Sequence, residues 1–242
     1  MVVVEIVLVF TLTLGMSGLR SLLSLIDSLL REEALADQAV ALNVSQANNQ
    51  VLDFLRQLLS ATQLFAWGAL GLYLLWRAGL KLRDIGLDRR RVPGDLLRGV
   101  GLAALIGVPG LAFYLVARAV GANLTVVPTT LDHWWAGLTL TVSAFANAWA
   151  EEVLVVGYLI TRLRQLGLRE NSSLLVSAVL RGSYHLYQGF GGFVGNVVMG
   201  LVFGRVWQRT NRLWPLVLAH FLIDFVAFVG YALLRGHVAW LP

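Results

Sequence analysis

Six ionisable residues stand where the surrounding sequence is almost wholly apolar: Glu151, Glu152, Arg181, His185, His220 and Asp224. Burying such groups at membrane depth is costly, which makes each one a candidate for function. Glu151 and Glu152 are adjacent, Arg181 and His185 are four apart, and so are His220 and Asp224. On a helix, residues four apart share a face. A carboxylate can take a proton from water and deliver hydroxide to a carbonyl carbon. Histidines, with an Asp or Asn side chain, can stabilise the oxyanion that results. Alternatively, Glu151, His185 and His220 could ligate a metal such as zinc and leave a position open for water. Both arrangements perform hydrolysis. No cofactor beyond this possible metal ion is implied. Two blander readings compete. The polar groups could simply tie three helices together, or they could form the proton relay of a small transporter. The lack of an evident inverted repeat speaks mildly against the transporter.

Residues of this kind meet only if membrane helices carry them. The chain has 242 residues, 57% hydrophobic and 14% charged, with a mean hydropathy of +0.72. A soluble domain carries roughly 25% charged residues, so this composition excludes disorder, a collagen-like fibre and an ordinary cytosolic enzyme. A crossing helix needs roughly 20 mostly apolar residues. Seven segments qualify, at about 2–27, 53–77, 99–121, 134–163, 172–188, 190–208 and 213–235. The expected fold is therefore an all-α polytopic transmembrane bundle of about seven spans. The first segment lacks a basic leader and a small-residue cleavage motif, and reads as a retained helix. Segment 28–50 reads as either an interfacial amphipathic helix or a loose loop. The glycine-rich run 189–195 reads as an uncharged turn that either gates access or lets two helices pack closely, with packing preferred.

The loops alternate in charge. Loop 77–98 carries Arg77, Lys81, Arg83, Arg89, Arg90, Arg91 and Arg98, and two later basic loops carry Arg162, Arg164, Arg169 and Arg205, Arg209, Arg212. The loops between them are acidic or uncharged. Basic loops lie in the cytoplasm, which puts the N-terminus there and the C-terminus outside. Loop 77–98 also suits contact with anionic lipid. The net charge of +5 thus reads as topology, and nucleic acid is not an expected partner. The chain has no cysteine, which excludes disulfides and thiol chemistry. Trp134, Trp135, Trp214 and Trp240 are expected to anchor at the interface. Glu5, Arg20, Asp53, Arg56, Arg118, Arg235 and His237, near segment ends, are expected to snorkel.

Three motifs in order then carry a resemblance: Glu151-Glu152-Val153-Leu154-Val155-Val156, Ser183-Tyr184-His185, and the run from Leu213 to His220 followed by Asp224. They resemble the CPBP family of intramembrane proteases, which includes the CAAX prenyl proteases, the bacteriocin-processing enzymes and the Abi proteins. The likeness covers about 134–228. It divides the chain into N-terminal membrane helices with a basic loop, 1–130, and a catalytic core, 131–235. It implies an intramembrane endopeptidase acting on a membrane protein or peptide, by a glutamate-activated water or a metal. It also implies roles: Glu151 as general base, His185 holding the water, and His220 with Asp224 at the oxyanion. Two positions depart from the family pattern. Its first-motif Arg falls at Val156, and its second-motif Phe falls at Arg181. Arg181 is expected to pair with Glu152 from the neighbouring span and so to replace the missing Arg, with Glu152 orienting the site. The competing expectation is a catalytically inactive scaffold or immunity protein that keeps the fold. A compact, arginine-rich membrane protein of this kind suits a bacterial inner membrane.

Overall fold

The computed structural model describes residues 1–128 and 131–234. Arg235, His237 and Trp240 lie outside them. Among the described residues the regular elements are helices, apart from one short ribbon. Helices α1 (Val2–Leu12) and α2 (Leu14–Leu29) meet at Thr13 with a 52° bend. There follow α3 (Gln50–Arg77) and α4 (Val92–Ala119). Helix α5 starts as Ala136–Glu151, widens into a π-helix over Glu152–Ile160 and closes as Thr161–Gln165. Next are α6 (Glu170–Ser183) and α7 (Phe190–Thr210). Helix α8 runs Trp214–Phe225 and continues through a π turn, Val226–Gly230, to Tyr231–Leu234.

All seven segments expected from the sequence are helical, and the all-α membrane bundle stands. Four are long and apolar enough to cross a membrane, Gln50–Arg77, Val92–Ala119, Phe190–Thr210 and Trp214–Leu234, and the bent pair α1–α2 passes the same test when taken together, as a broken span or a re-entrant segment. The other two differ for physical reasons. Helix α6 has 14 residues, about 21 Å at 1.5 Å per residue, short of the roughly 30 Å hydrocarbon core. Helix α5 carries the paired glutamates, and its second half is the centre of the molecule. Every residue of Glu152–Ile160 is buried. Helices α3, α6 and α8 pack around it, while α1, α3 and α4 turn residues such as Val7, Leu59, Leu105 and Val108 outward. An outward apolar face on an integral membrane protein meets lipid.

The charge alternation has a geometric counterpart. At one end, Glu5 pairs with Arg162 at 2.7 Å and accepts a hydrogen bond from Tyr158 Oη at 2.9 Å. Arg205 reaches Glu170 at 3.2 Å, Leu213 N donates to Gly86 O, and Arg212 binds both Asp88 and Asp95. The N-terminal helix and the three basic loops thus gather together. The Arg90 backbone N–H and the Arg212 guanidinium hold the Asp88 carboxyl below the usual carboxylate range. Its contribution to the staple is therefore present above the ordinary carboxylate pKa and is lost as pH falls through the lowered one. At the opposite end, β1 (Ala39–Leu42) pairs in parallel with β2 (Thr125–Pro128), and Leu124 N donates to Gln188 O. Segment 28–50 is therefore neither an amphipathic helix nor a loose loop: it holds a strand.

Several expectations for single residues change. Glu5 pairs with α5 instead of snorkelling. Asp53 is buried, accepting hydrogen bonds from Gln46 N and Ser45 Oγ. Trp135 is buried against Phe54, whereas Trp134 is exposed. Of the run 189–195, only Gly189 is a turn residue, and α7 begins at Phe190. Gly191 has no room for a side chain against Ala117 on α4 and Asn123, so this glycine packs closely, but against α4 and not between α6 and α7.

Gly86 joins the basic loops. Its φ is +78°, and a Cβ there would lie 2.2 Å from Asn211 O and 2.4 Å from Arg212 Cα. A left-handed conformation alone costs a non-glycine residue about 1–2 kcal/mol, and here the obstruction is backbone. Gly86→Ala is expected to lower unfolding stability in detergent by at least about 2 kcal/mol. A variant as stable as the parent would mean the two loops do not dock as described.

Candidate active site

The site begins where α5 changes period. From Glu152 the helix makes i→i+5 bonds, and such π segments leave backbone carbonyls in need of other donors. Ser177 Oγ on α6 donates to Val155 O at 2.7 Å, and Thr161 Oγ1 donates to Gly157 O at 2.6 Å. The two glutamates at the junction face different surroundings. Glu152 is fully buried, while 11% of the Glu151 side chain is exposed.

Arg181 lies between them. It is the largest of the fully buried side chains among the described residues. Its Nη2 donates to Glu152 Oε1 at 2.5 Å, and its Nη1 stands 3.6 Å from Glu151 Oε2. Its guanidinium lies over the Phe203 ring, 5.9 Å from the centroid, a further favourable setting for a buried cation. Gly200 on α7 admits it, because a Cβ there would sit 3.2 Å from Arg181 Cδ and 2.9 Å from Ala178 Cα. The pairing of Arg181 with Glu152 expected from the sequence is thus present. Val156 is fully buried in the apolar core.

His185 is not on the helix that carries Arg181. Helix α6 ends at Ser183, and Leu186–Gln188 forms a 3₁₀ turn. The cause is local. Ser183 Oγ donates to Leu180 O at 2.7 Å, and Ser21 Oγ on α2 donates to Tyr184 O at 2.9 Å. Side chains thereby satisfy carbonyls that a continuing helix would use. The turn brings His185 Nε2 to 4.0 Å from Glu151 Oε2, too far for a direct hydrogen bond. Both His185 ring nitrogens are buried without a hydrogen-bond partner, as is Arg181 Nη1. Unsatisfied buried donors converging on one carboxylate describe a place built for another polar group.

Helix α8 closes the site. His220 Nδ1 meets Glu152 Oε1 at 2.8 Å, and its Nε2 stands 3.6 Å from Asp224 Oδ1. The six expected residues therefore meet in one cluster and divide by accessibility. Glu152, Arg181 and His220 form a nearly inaccessible bridge across α5, α6 and α8, and Glu151, His185 and Asp224, with side chains 11%, 17% and 19% exposed, line its open side.

Tyr184 was missed as a site residue by sequence reasoning. Its hydroxyl donates to Glu151 Oε2 at 2.7 Å. Its signal was present, since a tyrosine hydroxyl within an apolar segment needs a partner when buried and Tyr184 directly precedes His185. Glu151, His185 and His220 are not grouped as a ligand set in this geometry. Among the described residues no three His, Asp or Glu side chains are grouped to hold an ion. The Arg181 cation also faces Glu151 at 3.6 Å.

Residues 133–226 match the family model of the Rce1-like type II CAAX prenyl endopeptidases. The match contains every residue of the cluster and supports an intramembrane endopeptidase. No curated protein and no solved structure matches the chain.

Proposed function

We propose that this chain, whose residues 133–226 match the family model of the Rce1-like type II CAAX prenyl endopeptidases, hydrolyses a peptide bond of a membrane-associated protein or peptide with a water activated by Glu151. The observation that carries this reading is the 4.0 Å gap between Glu151 Oε2 and the unpartnered His185 Nε2. A water can accept from one side of such a gap and donate to the other. Glu151 takes the water's proton as the oxygen bonds to the substrate carbonyl carbon, and the carbonyl π pair moves onto its oxygen. His220, as an imidazolium, donates from Nε2 to this oxyanion, and Asp224 faces the same nitrogen. The C–N bond then breaks, and the Glu151 carboxylic acid returns its proton to the departing nitrogen. Glu152 and Arg181 act as positioning residues: Glu152 fixes the His220 ring through Nδ1, and Arg181 offsets the charge of two adjacent carboxylates.

The gathering of the basic loops and the N-terminal helix at one end supports a cytoplasmic N-terminus. The 184–189 turn that carries His185 is at the other end. In a bacterial inner membrane that end would meet substrate from outside.

The test compares new peptide termini in native-host membranes expressing the parent or Glu151→Gln at matched levels. Termini that need Glu151 are expected. Their absence, with Glu151→Gln still rescuing a deletion phenotype, would leave the inactive scaffold or immunity protein instead. Tyr184→Phe probes the positioning of the base. One hydrogen bond to a charged group is worth about 1.5–3 kcal/mol, part of which a water recovers, so kcat should fall about tenfold at unchanged KM. Equal losses in both constants would argue that Tyr184 contacts substrate.

A further inference from the structure

Beside the cluster, between α2 and β1, lies a cavity of about 600 Å³. Its wall joins the active site at two places. Tyr187 lines it and stacks near-parallel to the His185 ring at 6.3 Å. Ser21 lines it and donates to Tyr184 O, the residue whose hydroxyl holds Glu151.

Three features describe an occupant. Gln38 lines the cavity and is 4% exposed. Its Nε2 is spent on Ser28 O and Glu33 O, both at 2.9 Å, and its Oε1 is buried with no donor. An orphaned buried carbonyl asks for an N–H. Ala39 and Val40 also line the cavity, and they belong to β1, which among the described residues pairs with β2 alone. A free strand edge is the surface on which an extended peptide adds as a further strand. Finally, Arg31 is neutralised by Asp27 at 2.6 Å, whereas no ion pair or hydrogen bond engages the Arg20 side chain among the described residues. The cavity therefore carries one uncompensated positive charge.

We propose that this cavity is a substrate subsite that takes an extended peptide segment bearing a carboxylate. The segment adds to the free edge of β1, gives a main-chain N–H to Gln38 Oε1 and sets its carboxylate against Arg20. The proposal rests on the endopeptidase reading for its purpose. Its occupant is defined by the cavity itself.

Binding is separable from hydrolysis. The full-length chain carrying Glu151→Gln is purified in detergent. It is titrated against two fluorescein-labelled ten-residue peptides of alternating Thr and Val that differ only in a central Glu or Lys, read by fluorescence anisotropy. The Glu peptide is expected to bind about tenfold tighter than the Lys peptide. Arg20→Glu, a change on an exposed side chain that leaves packing intact, is expected to invert that order. Gln38→Leu is expected to weaken both peptides, and because it also removes two hydrogen bonds its folding is checked by thermal unfolding. Equal affinity for both peptides, an order unmoved by Arg20→Glu, or no binding to either peptide would overturn the subsite. Inverted preference without Glu151-dependent termini would retain the subsite and remove the protease. Glu151-dependent termini without the charge preference would do the reverse.

Discussion

Glu151→Gln is expected to slow peptide-bond hydrolysis by about 10²–10⁴-fold, the usual contribution of a positioned general base, while shifting unfolding stability by less than about 1 kcal/mol. The two halves of this expectation come from the same geometry. Gln is isosteric with Glu and keeps a carbonyl oxygen for the Tyr184 hydroxyl, now at 2.7 Å from Glu151 Oε2. The structural charge balance survives, because Arg181 keeps its shorter contact with Glu152 and loses only the 3.6 Å approach to Glu151. The Glu151 side chain also retains some access to solvent, so an amide there is not stranded. What the amide cannot do is accept a proton from water. The measurement is a single-turnover rate on a substrate found by its new terminus, in proteoliposomes, paired with unfolding in the same preparation. A rate above a tenth of the parent would remove Glu151 from the role of base. A large loss of stability would reassign it to the bridge that Glu152 forms.

The contrast between two adjacent glutamates marks where sequence reading stops. Both could be picked out, since carboxylates amid an apolar run are rare and costly. Their accessibilities, 11% and 0%, depend on the π-helix that starts between them. Nothing in Val153–Ile160 announces a five-residue period, and a donor that meets one of its carbonyls, Ser177 on α6, comes from another element. The helices themselves were legible because apolar length is a direct consequence of bilayer thickness. Helix α6 was overextended for a related reason. Tyr184, Leu186 and Tyr187 are apolar enough to continue it, but Ser183 and Ser21 take up the last carbonyls, and Ser21 is 163 residues away from Tyr184 in sequence. The ribbon of β1 and β2 was hidden similarly, as its partner strands come from two separate loops.

The pairing across α5 and α6 was legible for a different reason. A motif position occupied by Val156 removed one cation, and a cation at Arg181 had no partner on its own helix. Charge conservation at membrane depth then required a meeting that local propensity could not suggest. The same argument did not find Tyr184, because a neutral hydroxyl leaves no charge imbalance to balance.

Arg181→Met is expected to cost about 3–5 kcal/mol of stability, the range for breaking one side of a buried pair. Methionine fills much the same volume against Phe203 and Gly200, so the loss reports charge more than packing. Without Arg181, Glu152 keeps only His220 on Oε1, while its Oε2 has no partner even in the parent. Adding Glu152→Gln removes the stranded carboxylate, and the double variant is expected to recover about half of that loss. Charge reversal, Glu152→Arg with Arg181→Glu, should exceed either reversed single change but fall short of the neutral double variant. The reason is that Arg181 serves two carboxylates. A glutamate at position 181 would face Glu151, 3.6 Å from the present Nη1, and an arginine at 152 would face His220 Nδ1, now 2.8 Å from Oε1. Chemical unfolding in mixed micelles measures all of these variants on one scale. If Arg181→Met unfolds with the parent, or if the coupling in the neutral double cycle is under about 0.5 kcal/mol, the bridge is not what holds α5 to α6.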